Sequence, residues 1–335
     1  MLERHGKSRF MPNTYVFPGG VIDKADFSSD WLDLFSRHGC KPTIFDPILN
    51  IKGQRPQLMT ATRSSQVSNE LAFRICTIRE TFEESGILLT KDAANINTET
   101  ATPSLSYEYK HPFSADDLEN WRLRVHNNAH EFIQLCRHIN HVPDVWSLLE
   151  WSNWLTPADL GPLRYNTMFY ICCVDSVPDA YYDEREMSNL KWLSPMDGLS
   201  LFKQESILLA PPQSYELSRL CNYSNIKDLH EFTVNRSDKG CEFLFPVRVN
   251  AADGIISLIP GDDMYPKQPD LVGEREIIEI EQSVVENRQS TKNLNRVELL
   301  GVFNHDFHCN VSPAYGHVKP ILMSNIMKNL EKCKL

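Results

Sequence analysis

Residues 79–87 read Arg79-Glu80-Thr81-Phe82-Glu83-Glu84-Ser85-Gly86-Ile87, and this acidic run constrains the chain more than any other stretch. On a helix turning about 100° per residue, Leu71, Ile75, Ile78 and Phe82 fall within roughly 40° of one another. Glu80, Glu83 and Glu84 take the opposite side, at i, i+3 and i+4. One face can therefore pack on a sheet while the other gathers three carboxylates. Like charges at that spacing cost an isolated helix a few tenths of a kcal/mol per pair. A divalent cation reverses that term, and hard carboxylate oxygens suit Mg²⁺ or Mn²⁺, which also bind phosphates. Arg79 can fix one carboxylate by a charge-assisted pair, and Gly86 permits a sharp exit from the helix. The glutamates alone leave open a plain solvated acidic face.

The helix should start at Ser68 or Asn69, either a plausible N-cap, and end near Ser85. Ahead of it, residues 14–17 form a β-prone run into Pro18-Gly19-Gly20. Residues 26–68 show no sustained period and carry Pro42, Pro47 and Pro56, which predicts a long, partly irregular insertion. Residues 87–89 should form a short buried strand. A second helix is expected over about 115–139, with Trp121, Leu123, Val125, Phe132 and Leu135 in its apolar positions and residues 111–114 at its start. Strands should follow at 151–155 and 165–174, the latter apolar enough for a central strand. Another short strand ends at residues 192–195. Helices should begin at Met196 and, after Pro211-Pro212, run over about 213–220; short β-like runs follow at 241–249 and 255–259. No internal repeat is present.

Composition narrows the partners. The net charge of −10 argues against a nucleic-acid binder, which needs a basic face. An anionic substrate must then be met by local cations or by metal. There is no apolar run of about 18 residues, so no membrane span is expected, and residues 1–6 lack the apolar stretch of a secretory signal. Nine cysteines without a C-x-x-C pair or finger spacing point to reduced thiols.

The residues 79–87 resemble the second half of the Nudix box, G-x5-E-x7-R-E-U-x-E-E-x-G-U, with U apolar. Gly20, inside Phe17-Pro18-Gly19-Gly20, matches its first glycine; Thr81 replaces an apolar residue. The box places its arginine 14 positions after the glycine, whereas here the gap is 79 − 20 = 59, an excess of 45 residues. Counted back from Arg79, the mid-box glutamate falls on Leu71, with Glu70 one place off. With that insertion, and with blocks such as Trp154-Leu155-Thr156-Pro157, Ala210-Pro211-Pro212-Gln213 and Leu258-Ile259-Pro260-Gly261-Asp262, the chain is similar to the nucleoside-diphosphate-linked moiety X motif 19 group, peroxisomal coenzyme A diphosphatases.

The resemblance implies an α+β fold: a Nudix α/β/α sandwich around a mixed sheet, over residues 1–220 with the insertion at about 26–68. A family-specific extension at 221–325 and a tail at 326–335 complete the chain. It further implies metal-dependent hydrolysis of coenzyme A and acyl-coenzyme A to 3′-phospho-AMP and the 4′-phosphopantetheine part. Glu80, Glu83 and Glu84 would hold Mg²⁺ or Mn²⁺, Glu80 alternatively taking a proton from water, with Arg79 beside them. Gly19, Gly20 and Arg9 would meet substrate, and Glu184, in the acidic stretch with Asp183 and Glu186, would be an extra base or ligand. Other nucleoside diphosphate derivatives (ADP-ribose, NADH, capped RNA) remain alternative substrates, and a folded but inactive coenzyme A-binding protein is the other alternative.

Several features stay open. Cys333-Lys334-Leu335 has the form of a peroxisomal address read by an import receptor, which predicts a peroxisomal protein; the alternative is a frayed tail. Only residues 1–4 stand where the family has its first strand, so either the start is truncated or another segment completes the sheet. Lys7, Arg9 and Arg63 could meet phosphates or be ordinary surface cations. Tyr15 or Phe17 could stack on adenine or pack in the core. His305-Asp306-Phe307-His308-Cys309 looks like a ligand cluster, yet lacks partners at finger spacing and reads better as a strand or loop.

Overall fold

The computed structural model describes residues 1–92, 94, 96, 113–274 and 277–333. Its strands, in chain order, are β1 (Leu2–Arg4), β2 (Thr14–Val16), β3 (Thr90–Asp92), β4 (His141–Pro143), β5 (Leu149–Leu155), β6 (Asn166–Ile171) and β7 (Met187–Leu190). They continue with β8 (Leu208–Leu209), β9 (Phe243–Leu244), β10 (Val247–Ala251), β11 (Gly254–Leu258), β12 (Ile278–Glu279), β13 (Asn295–Leu299) and β14 (His305–Cys309). The helices are α1 (Asp30–Arg37), α2 (Asp46–Leu49), α3 (Gln57–Thr60), α4 (Asn69–Ser85), α5 (Ala115–Asn127) and α6 (Glu131–His138). After them come α7 (Pro195–Lys203), α8 (Pro211–Leu220), α9 (Ile226–Asn235), α10 (Val284–Ser290) and α11 (Met323–Cys333).

The architecture is α+β with mixed sheets. One sheet has the order β7-β1-β2-β8, antiparallel except for the parallel pair β2–β8. A second has the order β6-β5-β9, with β5–β9 parallel. The short first strand is therefore interior: β7 pairs along its open edge, Leu2 opposite Leu190. The C-terminal half adds the sheet β12-β10-β11-β13-β14.

Helix α4 forms as its sequence dictates. The Ser68 hydroxyl accepts from the Leu71 N–H at 3.3 Å, and Gly86 closes the helix at φ +73°, its N–H donating to the Phe82 carbonyl. Leu71, Ile75, Ile78 and Phe82 are buried. Much of their cover comes from the insertion, where Trp31, Leu34, Phe35, Ile44, Phe45 and Ile48 join the same core. Two 3₁₀ turns (Lys24–Phe27 and Pro42–Phe45) and the short helices α1, α2 and α3 thus make residues 24–60 a packed layer, held also by charge. Arg55 donates to Glu70 Oε1 at 2.8 Å and to Glu150 Oε2 at 2.6 Å, and Arg74 reaches both carboxylates at 3.2 Å.

Some expectations are corrected. Residues 87–89 are irregular although Leu88 and Leu89 are buried; the strand comes next, as β3. The helix expected over 115–139 is two helices broken at residues 128–130, and Leu123 is exposed; His111 and Pro112 lie outside the described residues. The apolar run at 165–174 gives β6, an edge strand rather than a central one. Among the described residues no helix is long and apolar enough to cross a membrane, and every cysteine whose side chain is described is a free thiol.

Candidate active site

At the centre of the site is the arginine, not the glutamates. Arg79, 3% exposed, donates through Nε and Nη2 to the two oxygens of Asp26, both at 2.9 Å. Its Nη1 reaches Glu80 Oε1 at 2.9 Å and Glu83 Oε1 at 2.6 Å, and Nη2 also donates to the Val21 carbonyl at 3.2 Å. One guanidinium therefore ties two carboxylates of α4 to the turn after β2 and to the 3₁₀ turn that carries Asp26. Asp26, fully buried, is placed by a capping box: its Oδ2 accepts the Asp23 N–H at 2.8 Å.

The glycines face the acids. Gly19 N–H donates to Glu84 Oε2 at 2.8 Å. A Cβ on Gly20 would lie 2.3 Å from Glu80 Oε2, so only glycine lets the backbone come this close without displacing the carboxylate.

Glu83 and Glu84 are 9% and 3% exposed, so the acidic face is no solvated surface. Burial pushes the Glu80 carboxyl up to about 7, against the pull of Arg79. Burial also raises Glu83, against Arg79, and raises Glu84 well above its usual range, against the Gly19 N–H. Three desolvated acids gather where one guanidinium is shared with Asp26, and that deficit of positive charge is what a divalent cation corrects. As they stand, no three His, Cys, Asp or Glu side chains among the described residues converge to hold a metal. The donor set nevertheless fits one: hard oxygens, of which Glu80 Oε2 and Glu84 Oε1 carry no protein hydrogen bond among the described residues.

The structure thus brings together Arg79, Glu80, Glu83, Glu84, Gly19 and Gly20. Among the described residues the other expected side chains make no hydrogen bond to these six. Arg9 and Lys7 are exposed on the loop between β1 and β2; the basic side chain whose charge acts on Glu84 is Arg4. Arg63 stacks over Phe27, 4.7 Å from the ring centroid. Glu184 is exposed at φ +58°, and it is Glu186 whose field reaches Glu84. Asp183 accepts the N–H groups of Arg185, Glu186 and Met187 and shapes that loop. Tyr15 is buried, donating to Glu3, and Phe17 packs edge-on against Phe169. The 305–309 cluster is β14, whose alternation turns His305 and Phe307 into the core.

Sequence reasoning missed Asp26, although a signal existed. Counted forward from Gly20, 26 − 20 = 6, the place of the glutamate in G-x5-E. The box is split after its mid-box acid, not before it, and an aspartate takes that place.

This fold and this site together define a Nudix hydrolase. The chain belongs to the NUDT19 family of that class: the NUDT19 Nudix domain matches residues 1–220 and the NUDT19 C-terminal domain residues 248–310. It is 40% identical over 336 residues to the acyl-coenzyme A diphosphatase NUDT19 of Xenopus laevis, covering 98% of this chain and 87% of that protein. The Gallus gallus protein of the same name is 40% identical over 98% of this chain and 89% of its own length; the Homo sapiens one is 34% identical, over 96% and 85%. Among solved structures, a Nudix hydrolase from Alicyclobacillus acidocaldarius aligns over 69% of this chain and 86% of its own, with 19% identity and a TM-score of 0.46.

Proposed function

We propose that the protein hydrolyses the diphosphate bond of coenzyme A and its acyl esters, releasing 3′-phospho-AMP (adenosine 3′,5′-bisphosphate) and 4′-phosphopantetheine or its acyl form. The observation that carries the reading is the packing of Glu80, Glu83 and Glu84 against Gly19-Gly20, in a chain similar along nearly its whole length to proteins named acyl-coenzyme A diphosphatases.

Glu80, Glu83 and Glu84 would hold Mg²⁺ or Mn²⁺, which when bound neutralises charge on the diphosphate and acidifies an attacking water. The chain's own residues supply the rest. Arg79 holds one oxygen of Glu80 and one of Glu83, which reduces the side-chain ordering left for the reacting complex. The Gly19-Gly20 turn keeps backbone close over the carboxylates. As the water oxygen bonds to phosphorus and the bridging P–O bond breaks, a proton must leave the water. Glu80 would accept it in the alternative in which it is not itself a ligand.

Product analysis of the purified protein with coenzyme A and Mg²⁺ or Mn²⁺ tests this, beside Glu83→Gln and a panel of ADP-ribose, NADH and capped RNA. Both products are expected from the wild type, and Glu83→Gln should release neither. Intact turnover in Glu83→Gln would sink the assignment of the site, and preference for another panel member the assignment of substrate. The peroxisomal address at Cys333-Lys334-Leu335 lies at residues outside those described, with only the Cys333 backbone included; it belongs to the proposal. Unchanged peroxisomal import after deletion of Leu335 would refute it.

A further inference from the structure

Helix α5 lies across the C-terminal end of α4. Arg122, 3% exposed, directs two N–H groups at one acceptor: Nε at 3.2 Å and Nη2 at 2.9 Å from the carbonyl oxygen of Glu83. That carbonyl belongs to the last turn of α4, where no intrahelical donor remains, and the Ile87 N–H bonds the Ser85 hydroxyl instead. One turn along α5, His126 Nδ1 stands 3.6 Å from Glu83 Oε2, an ion-pair distance rather than a hydrogen bond. Arg79 already occupies the other oxygen at 2.6 Å. Leu118 and Arg122 also abut Gly86: a Cβ there would lie 3.7 Å from Leu118 Cδ2 and 3.8 Å from Arg122 Cδ.

A single glutamate of α4 is therefore addressed at its backbone and at its carboxylate by two residues four apart on one face of another helix. Gly86 already terminates α4, so the helix end does not need a buried guanidinium for its own closure. Arg122 continues outward through Nη1 to Glu119 Oε2 at 3.1 Å, and Glu119 Oε1 receives Arg185 at 3.1 Å, beside Glu186. The grip on Glu83 is thus continuous with the loop that carries the second acidic residue acting on Glu84.

We propose that Arg122 and His126 are positioning residues for diphosphate hydrolysis: Arg122 sets the height of the Glu83 backbone, and His126 orients the carboxylate toward a divalent cation. Neither residue falls in the box. The inference rests on the proposed function in taking Glu83 as a metal ligand. Outer partners of metal-ligating side chains set ligand direction, and their loss costs about 10- to 100-fold in metal affinity or activity.

The test measures Mn²⁺ affinity of the full chain by water-proton relaxation, with kcat and KM for coenzyme A and thermal melting alongside. His126→Ala should weaken Mn²⁺ about 10-fold and lower kcat by a similar factor, with KM and melting temperature nearly unchanged. His126→Asn, whose amide N–H stands near the place of Nδ1, should recover most of both. Wild-type affinity in His126→Ala overturns the role of His126, as does an Asn variant no better than Ala. Arg122→Ala should weaken Mn²⁺ too; a lower melting temperature with unchanged affinity makes it merely structural. A wild type that binds Mn²⁺ but leaves coenzyme A intact removes the proposed function, while the affinity comparison still decides the grip.

Discussion

Asp26 and Arg79 form the pair on which the site geometry turns. Both are buried, and the two hydrogen bonds between them are of equal length. Asp26→Ala leaves a buried guanidinium short of two partners, a loss expected to cost about 3–5 kcal/mol of stability. It also frees Arg79 to swing wholly onto Glu80 and Glu83, so kcat should fall. Asp26→Asn keeps the shape and one acceptor, so it should cost less stability yet still lower kcat. Urea unfolding and steady-state rates on both variants check this; a loss under about 1 kcal/mol in Asp26→Ala shows that Glu80 and Glu83 hold the arginine unaided. At this scale the chain was legible where the resemblance to the box supplies a pattern: Arg79, the three glutamates, the two glycines. Asp26 was legible only by counting from the correct end, because the insertion breaks the spacing along the chain and not the contact in space. Arg122 and His126 left no signal, since neither stands at a fixed distance from the box.

The elements between residues 24 and 60 show why periodicity failed there. They are three short helices and two 3₁₀ turns, with prolines at 42, 47 and 56 separating them. A hydrophobic period needs a window of about 11 residues or more to declare itself, and none of these pieces is that long. Their burial comes from tertiary packing: Trp31 meets Phe132 at 5.8 Å between ring centroids, and Phe45 stacks on Trp146 at 5.9 Å. Edge strand β6 misled for a related reason, since apolar residues that sit half-buried at an edge read like a central strand. The insertion therefore behaves as part of the enzyme's core. Trp31 is fully buried and its Nε1 donates to the Ala25 carbonyl at 2.9 Å, next to Asp26. Trp31→Ala should cost about 3–5 kcal/mol and lower kcat as well, because the turn that presents Asp26 loses its backing. Chemical denaturation with rates measured below the transition tests both parts; a nearly neutral variant means that residues 24–60 are an appendage.

Across the whole molecule, residues before 221 and after 240 share one core. Tyr15, Trp154, Phe202 and Tyr215 pack with Leu244, Ile259, Val297, Phe307, Met323 and Ile326. His305 of β14 sits at this junction, its Nδ1 3.0 Å from the Ser214 hydroxyl on α8 and its ring 4.7 Å from that of Phe202 on α7. Burial, helped by Lys203, lowers its pKa from 6.5 to about 4. A base depressed in the folded state binds its proton first in the unfolded chain, so its contribution to stability is whole above about 6.5 and drains as pH falls toward 4. One pKa unit is 1.36 kcal/mol, so the drain should reach about 2 kcal/mol by pH 5. The buried acids run the other way: Glu80, Glu83 and Glu84, raised by burial, are relieved as pH falls. The net slope of the wild type is therefore mixed, and the diagnostic quantity is a difference. His305→Gln keeps a polar partner for Ser214 and removes the titration, while every other group is common to both proteins. Urea unfolding at pH 7.5 and 5.0 should show the wild type losing about 2 kcal/mol of its advantage over His305→Gln. Parallel losses in the two proteins mean that His305 takes up its proton equally readily in the folded and the unfolded chain.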